Sequence, residues 1–264
     1  MKMYRMPTCF GNSPGPRSDL AGNRHDWSAA RRRVLRWQSA VDAGQLRQLL
    51  PAGCDLDGPA RVQFEFQQLE NLPWLAGRGY SLFCVKAPVR LRRATGEDRV
   101  FSFLLVMWEN LADPIITGRE ELGFAKLFAD LHWDWNESTL GGVRASWDGH
   151  EFFGLKAQTS TSAAADAGAF PPDLLHHRYV PAVGRWGEAA LEQLVCSPAG
   201  ASAAPVSQLD CAVTFSFNSG TWEDLPTLWH IVSRLEALQP ARTARGQLSN
   251  FLGGADHFGQ AVLT

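Results

Sequence analysis

Lysine is scarce in this chain. Of 25 basic residues among 264, only four are lysines: Lys2, Lys86, Lys126 and Lys156. Arginine supplies charge where charge alone is needed. A lysine among apolar residues therefore points to a need for its amine, which can lose a proton when desolvated, as arginine cannot. Cysteine is also sparse. Cys9, Cys54, Cys84, Cys196 and Cys211 are odd in number, far apart and form no CxxC, which argues against a disulfide framework or zinc site and for reduced thiols. Net charge is small at −2, and the run Arg31-Arg32-Arg33 is too short to make the basic field that nucleic-acid binding rests on. No apolar run approaches the ~20 residues of a membrane span, and residues 1–20 hold no signal-type apolar segment. A soluble, cytoplasmic protein with no nucleic-acid or membrane partner is the expectation. GxGxxG, P-loop, HExxH and GxSxG patterns are missing from suitable settings, so no cofactor is expected.

Residues 1–27, rich in Gly, Pro, Ser and Asn, read as an N-terminal arm. The remainder, 28–264, shows no internal repeat and no clear linker, and is expected to form one domain. Loose alternation over 31–40 suits a strand. Leu46, Leu49 and Leu50 share a face of a predicted short helix over 41–51, closed by Pro51. Val62, Phe64 and Phe66 alternate in a predicted strand over 61–69. Strands are predicted over 80–93 and 99–110, joined by a turn at Thr95-Gly96-Glu97-Asp98. Asp148-Gly149 marks a second hairpin within 141–159. Residues 160–170 and 197–205 read as loops, 208–220 as a strand, and 223–238 as the clearest helix, with Leu228, Ile231, Val232, Leu235 and Leu238 on one face. Extended structure follows Pro240. Many strands with few helices indicate an α+β, mostly antiparallel β fold with a curved or closed sheet.

The stretch 117-TGREELGFAKLF-128 begins with a turn-like Thr-Gly and ends by setting Lys126 among Phe124, Ala125, Leu127 and Phe128. A surface lysine with its stem on apolar neighbours is one reading. A desolvated amine that attacks a carbonyl and forms an imine is the other. His176 and His177 are adjacent on a predicted strand, so one points inward and one outward. In 132-HWDWNE-137, residues His132, Asp134 and Asn136 share a strand face near Glu137. No partner motif accompanies them, and no metal is expected. The ten tryptophans are scattered through predicted strands and read as core and rim packing.

Gly118-Arg119-Glu120, followed by Phe124-Ala125-Lys126, resembles the signature of the acetoacetate decarboxylase superfamily. There a Gly-Arg-Glu precedes an imine-forming lysine at the same Arg-to-Lys spacing. The lead-in 113-DPIIT-117, the Leu-Arg-x-Leu-Leu-Pro of 46–51, Glu65-Phe66, the strand led by Tyr80 and the His-Arg-Tyr-x-Pro run at 177–181 agree in order. The resemblance covers roughly 28–250. It implies a cone-shaped β-barrel or sheet with a few packed helices, usually in a homo-oligomer, and a carbon–carbon lyase working through a lysine Schiff base. On that basis Lys126, Arg32 and Glu120 are the catalytic candidates, with Arg32 receiving a substrate carboxylate. Tyr80, Leu82, Phe124, Leu127 and Glu109 are the substrate-binding candidates, and Glu109, Tyr80 and Glu121 are further acid–base candidates.

Two departures bear on the chemistry. Leu127 stands where the decarboxylases carry a second lysine, and Leu82 stands where they carry a glutamate. The expectation is therefore a lysine-imine lyase for a small or medium oxo acid or β-dicarbonyl compound, of decarboxylase or aldolase-dehydratase type, and not a simple acetoacetate decarboxylase. The alternatives are a non-covalent cyclase or dehydratase of a polyketide-like substrate, and a non-catalytic small-molecule-binding member of the family.

Overall fold

Period-two alternation of large apolar residues sets most of the architecture. The computed structural model describes residues 2–92, 97–134, 140–160, 169–199, 204–255 and 259–263. In chain order the strands are β1 Arg31–Ala40, β2 Cys54–Leu56, β3 Arg61–Glu70, β4 Tyr80–Leu91, β5 Arg99–Glu109, β6 Lys126–Phe128 and β7 Asp130–Asp134. They continue as β8 Gly142–Trp147, β9 His150–Thr159, β10 Leu174–Pro181, β11 Ala189–Ser197, β12 Ser207–Phe217, β13 Thr243–Leu252 and β14 Ala261–Val262. The helices are α1 Ala43–Arg47, α2 Ala112–Thr117 and α3 Trp229–Ala237.

One mixed, mostly antiparallel sheet contains every strand, in the order β14-β11-β10-β5-β4-β3-β1-β13-β12-β9-β8-β7, with β2 on β4 and β6 on β5. β10 runs parallel to the first half of β5, at Ser102 and Phe103. β6 runs parallel to the last residues of β5, at Met107 to Glu109. The short strand that begins with Lys126 thus occupies the stretch of β5 edge that β10 leaves.

One face of the sheet is aromatic. Trp37 of β1 stacks on Phe64 of β3 at 5.2 Å, and Phe83 of β4 on Trp108 of β5 at 5.6 Å. Phe153 of β9 closes over them, 4.4 Å from Phe83, and Trp133 of β7 meets Phe66 edge-on at 5.2 Å. The far strands therefore curl over the near ones around a dry core, in which truncating one Phe or Trp to Ala would cost about 3–5 kcal/mol. The barrel part of the expectation is corrected: among the described residues no ladder joins β7 to β14, so the sheet is strongly curved but open. Aromatic contact across the core holds the two arms of the sheet together where backbone pairing does not.

Local differences have local causes. The helix predicted over 41–51 is only Ala43–Arg47, capped by Asp42, which accepts from Gln45 N at 2.7 Å. The helix predicted over 223–238 begins at Trp229, three residues beyond Pro226, which lacks an N–H. Leu228, Val232, Leu235 and Leu238 are buried, as the periodicity requires, and Ile231 partly so. Thr117-Gly118 is no turn: Gly118 has φ −65° and continues α2 into a π-helical turn, Gly118–Leu122. Asp148 and Gly149 do form the hairpin turn, with φ of 47° and 86°. Thr95, Gly96, Asn136, Glu137 and most of the 160–170 loop lie outside the described residues. Among those described, no helix is long and apolar enough to cross a membrane.

Candidate active site

The other face of β1, β3, β4 and β5 is where charge is buried. Cross-strand register aligns Arg36, Glu65, Cys84, Met107 and Lys126 in one row, and Val34, Gln67, Leu82 and Glu109 in the next. Residues opposite one another in a ladder share a face. Lys126 and Glu109 therefore project from the same side of adjacent strands. Leu82, Cys84, Leu104, Met107, Leu122 and Phe124 form a second apolar cluster around them.

Lys126 is 8% exposed and Glu109 is fully enclosed. Nζ lies 2.8 Å from Glu109 Oε1 and donates to the Pro114 carbonyl at 3.0 Å. The carboxylate contact is close in distance but poorly aligned, and neither Glu109 oxygen makes a well-formed hydrogen bond among the described residues. Burial pushes the Glu109 carboxyl above the usual carboxylate range, and Lys126 offsets this only in part. Tyr80, half-buried, is pushed well above the usual phenol by burial and then by Glu109.

The motif residues hold the lysine in place. Arg119 Nη1 donates to the Lys126 carbonyl at 2.8 Å. Gly118 abuts the lysine tail so closely that a Cβ there would stand 2.5–2.7 Å from Cε, Cδ and Nζ. Phe124 lies under the amine, with its ring centroid 5.5 Å from Nζ, and stacks on His176 at 4.4 Å. His176 is fully buried, with Nδ1 2.9 Å from the Gly123 carbonyl and Nε2 3.0 Å from Ser197 Oγ. A carbonyl only accepts, so Nδ1 carries the proton. His177, the outward neighbour, meets Glu192 at 3.0 Å.

The structure brings Lys126, Glu109, Phe124 and Leu82 together around Tyr80, with Leu82 the direct cross-strand partner of Glu109. Leu127 points away, packed against the aromatic core on the opposite face of β6. Glu120 offers its carbonyl to Arg178 Nη2 at 2.7 Å, and among the described residues no bond joins its carboxylate to Lys126. Glu121 instead pairs with Arg5 and Arg17 of the arm. Arg32 is three strands from Glu109 and four from Lys126, over the Phe251 ring at 4.4 Å, with its guanidinium pushed down by burial. His132 is exposed, and exposed Asp134 meets Arg144 at 3.4 Å. Among the described residues no His, Cys, Asp and Glu cluster has the makings of a metal site.

Sequence reasoning did not find Pro114 O, the His176–Phe124 stack or a second ion pair, with a buried carboxylate, on the same face. In that pair Glu65, 3% exposed, takes Lys86 Nζ at 3.1 Å and Arg36 Nε on one oxygen, and Gln67 Nε2 on the other. Lys86 carried the same signal as Lys126, scarcity, but no motif.

The site is thus a buried lysine–carboxylate pair on one face of a curved, mostly antiparallel sheet. The acetoacetate decarboxylase family model matches residues 6–234, and the chain belongs to that family. No curated protein matches the chain. Among solved structures it resembles acetoacetate decarboxylase from Legionella pneumophila, at 16% identity over 94% of this chain and 93% of that one, with TM-score 0.66. The enduracididine biosynthesis enzyme MppR complexed with pyruvate matches at 16% identity over 93% and 95% of the chains, with TM-score 0.63. An acetoacetate decarboxylase-like enzyme from Sphingomonas wittichii matches at 17% over 89% and 94%, with TM-score 0.61. At these identities the likeness is one of fold.

Proposed function

We propose that this chain is a lysine-imine lyase for an oxo acid or β-dicarbonyl compound, in which Glu109 handles the protons. The observation that carries the reading is the Lys126–Glu109 pair, 2.8 Å apart and enclosed in apolar side chains. Two opposite charges held out of water with few hydrogen bonds are costly, and moving a proton from the ammonium to the carboxylate removes both. The free amine then attacks the carbonyl carbon. Glu109 returns the proton to the carbinolamine oxygen, which leaves as water and gives the iminium. In the next step electrons enter the C=N bond, either from a breaking bond to a carboxylate, releasing carbon dioxide, or from an α C–H whose proton Glu109 takes. Protonation and hydrolysis of the enamine free the product and the lysine.

Glu109 also accounts for the missing glutamate. The resemblance puts a carboxylate at Leu82, and Glu109 sits opposite Leu82 on the next strand. The acid group has in effect moved one strand across while facing the same space. Arg32 is the cation we assign to a substrate carboxylate, since it stacks on Phe251 and Glu65 acts on it only from a distance, with no salt bridge between them. Four strand spacings, roughly 19 Å along the sheet, separate β1 from β6, the strand that carries Lys126. A small oxo acid would meet both groups only after Arg32 leaves the Phe251 ring.

Borohydride trapping with a panel of oxo acids, read by intact mass and peptide mapping, tests the reading. A covalent adduct on Lys126 is expected, and none with Lys126→Arg. Full activity of Lys126→Arg on the native substrate would exclude imine chemistry and leave the non-covalent cyclase or dehydratase reading. We also infer self-association, as the resemblance implies. A monomer by light scattering at micromolar concentration would remove that inference.

A further inference from the structure

The N-terminal arm folds back onto its own chain, behind the lysine. Arg17 is 5% exposed and pairs through Nη1 with Glu121, whose side chain is 9% exposed. Arg5 Nη1 donates to Thr117 Oγ1 and lies 3.7 Å from the other Glu121 oxygen, while Arg5 Nη2 donates to the Pro14 carbonyl at 2.7 Å. Thr117 and Glu121 belong to the helical segment 112–122. That same segment supplies the Pro114 carbonyl to Nζ and the Gly118 wall against the lysine tail. Arg17 and Glu121 are 104 residues apart in sequence. A buried ion pair is kept only where its geometry offsets the desolvation of both charges, and removing one partner leaves the other uncompensated.

We propose that the arm is a working part of the lysine site: Arg17 and Arg5, acting through Glu121 and Thr117, fix the 112–122 segment and so set where Lys126 Nζ points. They are positioning residues, and neither touches the amine. The inference rests on the reading of Lys126 as the reacting group. With the clamp closed, Nζ is held between Pro114 O and Glu109 and screened by Gly118. With the clamp open, the segment is free to withdraw and the amine loses its carbonyl acceptor and its wall.

The test uses the full chain and its four lysines. Trinitrobenzenesulfonate is an amine reagent too bulky for the closed site, and labelling at each lysine is read by peptide mass mapping. Lys86, half-buried in its own ion pair with Glu65, is the internal control, since global loosening exposes both lysines further. In Arg17→Ala and in Glu121→Gln, the ratio of Lys126 to Lys86 labelling should rise on the order of tenfold through local opening, and oxo-acid trapping should fall. Arg17→Lys, which keeps the charge, should restore part of the protection. Glu121→Gln preserves size and carries the comparison if Arg17→Ala fails to fold. An unchanged ratio in a folded variant, whatever its melting temperature, overturns the proposal. If the variants unmask Lys126 while the wild type traps no oxo acid, the positioning role stands and the imine reading falls.

Discussion

Two lysine–glutamate pairs with buried carboxylates lie on one face of the same sheet, and they are built for opposite ends. Glu65 is saturated: Lys86 and Arg36 share one oxygen and Gln67 takes the other. Burial alone would push its carboxyl up, but Lys86 and then Arg36 outweigh it and hold Glu65 well below the usual carboxylate range. Among the described residues Glu109 has only Lys126, in a poorly aligned contact, and burial wins. A carboxylate with three donors is locked as an anion and serves as structure. One with a single mismatched partner is poised to take up a proton and give it back, which general acid–base work requires. The difference lies in the surroundings and not in residue type.

The largest test of this contrast is kinetic. Lys126→Met should abolish oxo-acid trapping and lower turnover by roughly 10⁴–10⁶-fold, as loss of a nucleophile does. Lys86→Met should keep the Lys126 adduct and lose stability instead. Equal losses of trapping in the two variants would dissolve the distinction. The second test is thermodynamic. Glu65→Gln strands Arg36 and Lys86 without a counter-charge; both reach solvent in part, so the loss should be about 1–3 kcal/mol in urea denaturation at neutral pH. Glu109→Gln should be close to neutral or stabilising there, while slowing turnover ~10²–10⁴-fold, the range of a lost general acid–base.

Legibility followed the range of the interaction. Val62, Phe64 and Phe66 declare β3 through their own alternation, and all three are buried. Lys126 stood out because lysine is scarce, yet Lys86 is equally scarce and sits in a structural pair, so scarcity needed the motif to become informative. Glu109 was visible as a candidate, but its place opposite Leu82 depends on the β4–β5 register. That register shifts at an irregularity between Val85 and Lys86 and cannot be counted from either strand alone. Leu127 could have been assigned to the core side, since neighbours on a strand face opposite ways. The Arg17–Glu121 clamp depends on how a distant arm folds back, which no local pattern encodes.

A smaller effect probes how tightly the lysine is held. Gly118→Ala places a methyl 2.5–2.7 Å from Cδ, Cε and Nζ of Lys126. The tail must shift, and forcing extra volume into a packed site costs about 1–3 kcal/mol. Trapping should slow more than the fold weakens, because the displaced amine leaves Pro114 O and Glu109 together. A variant with wild-type trapping kinetics would mean that the amine has room to spare.

The smallest effect, and the sharpest in sign, is the pH dependence of stability. Glu65 has its folded value depressed below that of the unfolded chain, where a glutamate titrates near ~4.3. The unfolded state therefore takes up protons first on acidification, and the stability Glu65 contributes is present above that pH and lost as pH falls. Glu109 has its folded value raised. Its contribution is fully present below the unfolded value and lost as pH rises through the folded one, because there the enclosed carboxyl must ionise. A tenfold difference in a carboxyl's proton affinity between the folded and unfolded chain corresponds to about 1.4 kcal/mol. Urea denaturation from acid to neutral pH should then show the destabilisation of Glu65→Gln shrinking toward acid. Glu109→Gln should gain on the wild type as pH rises. If the two variants diverged from the wild type with the same sign of slope, the two glutamates would share one environment, and the assignment of Glu109 as the proton carrier of the site would lose its electrostatic basis.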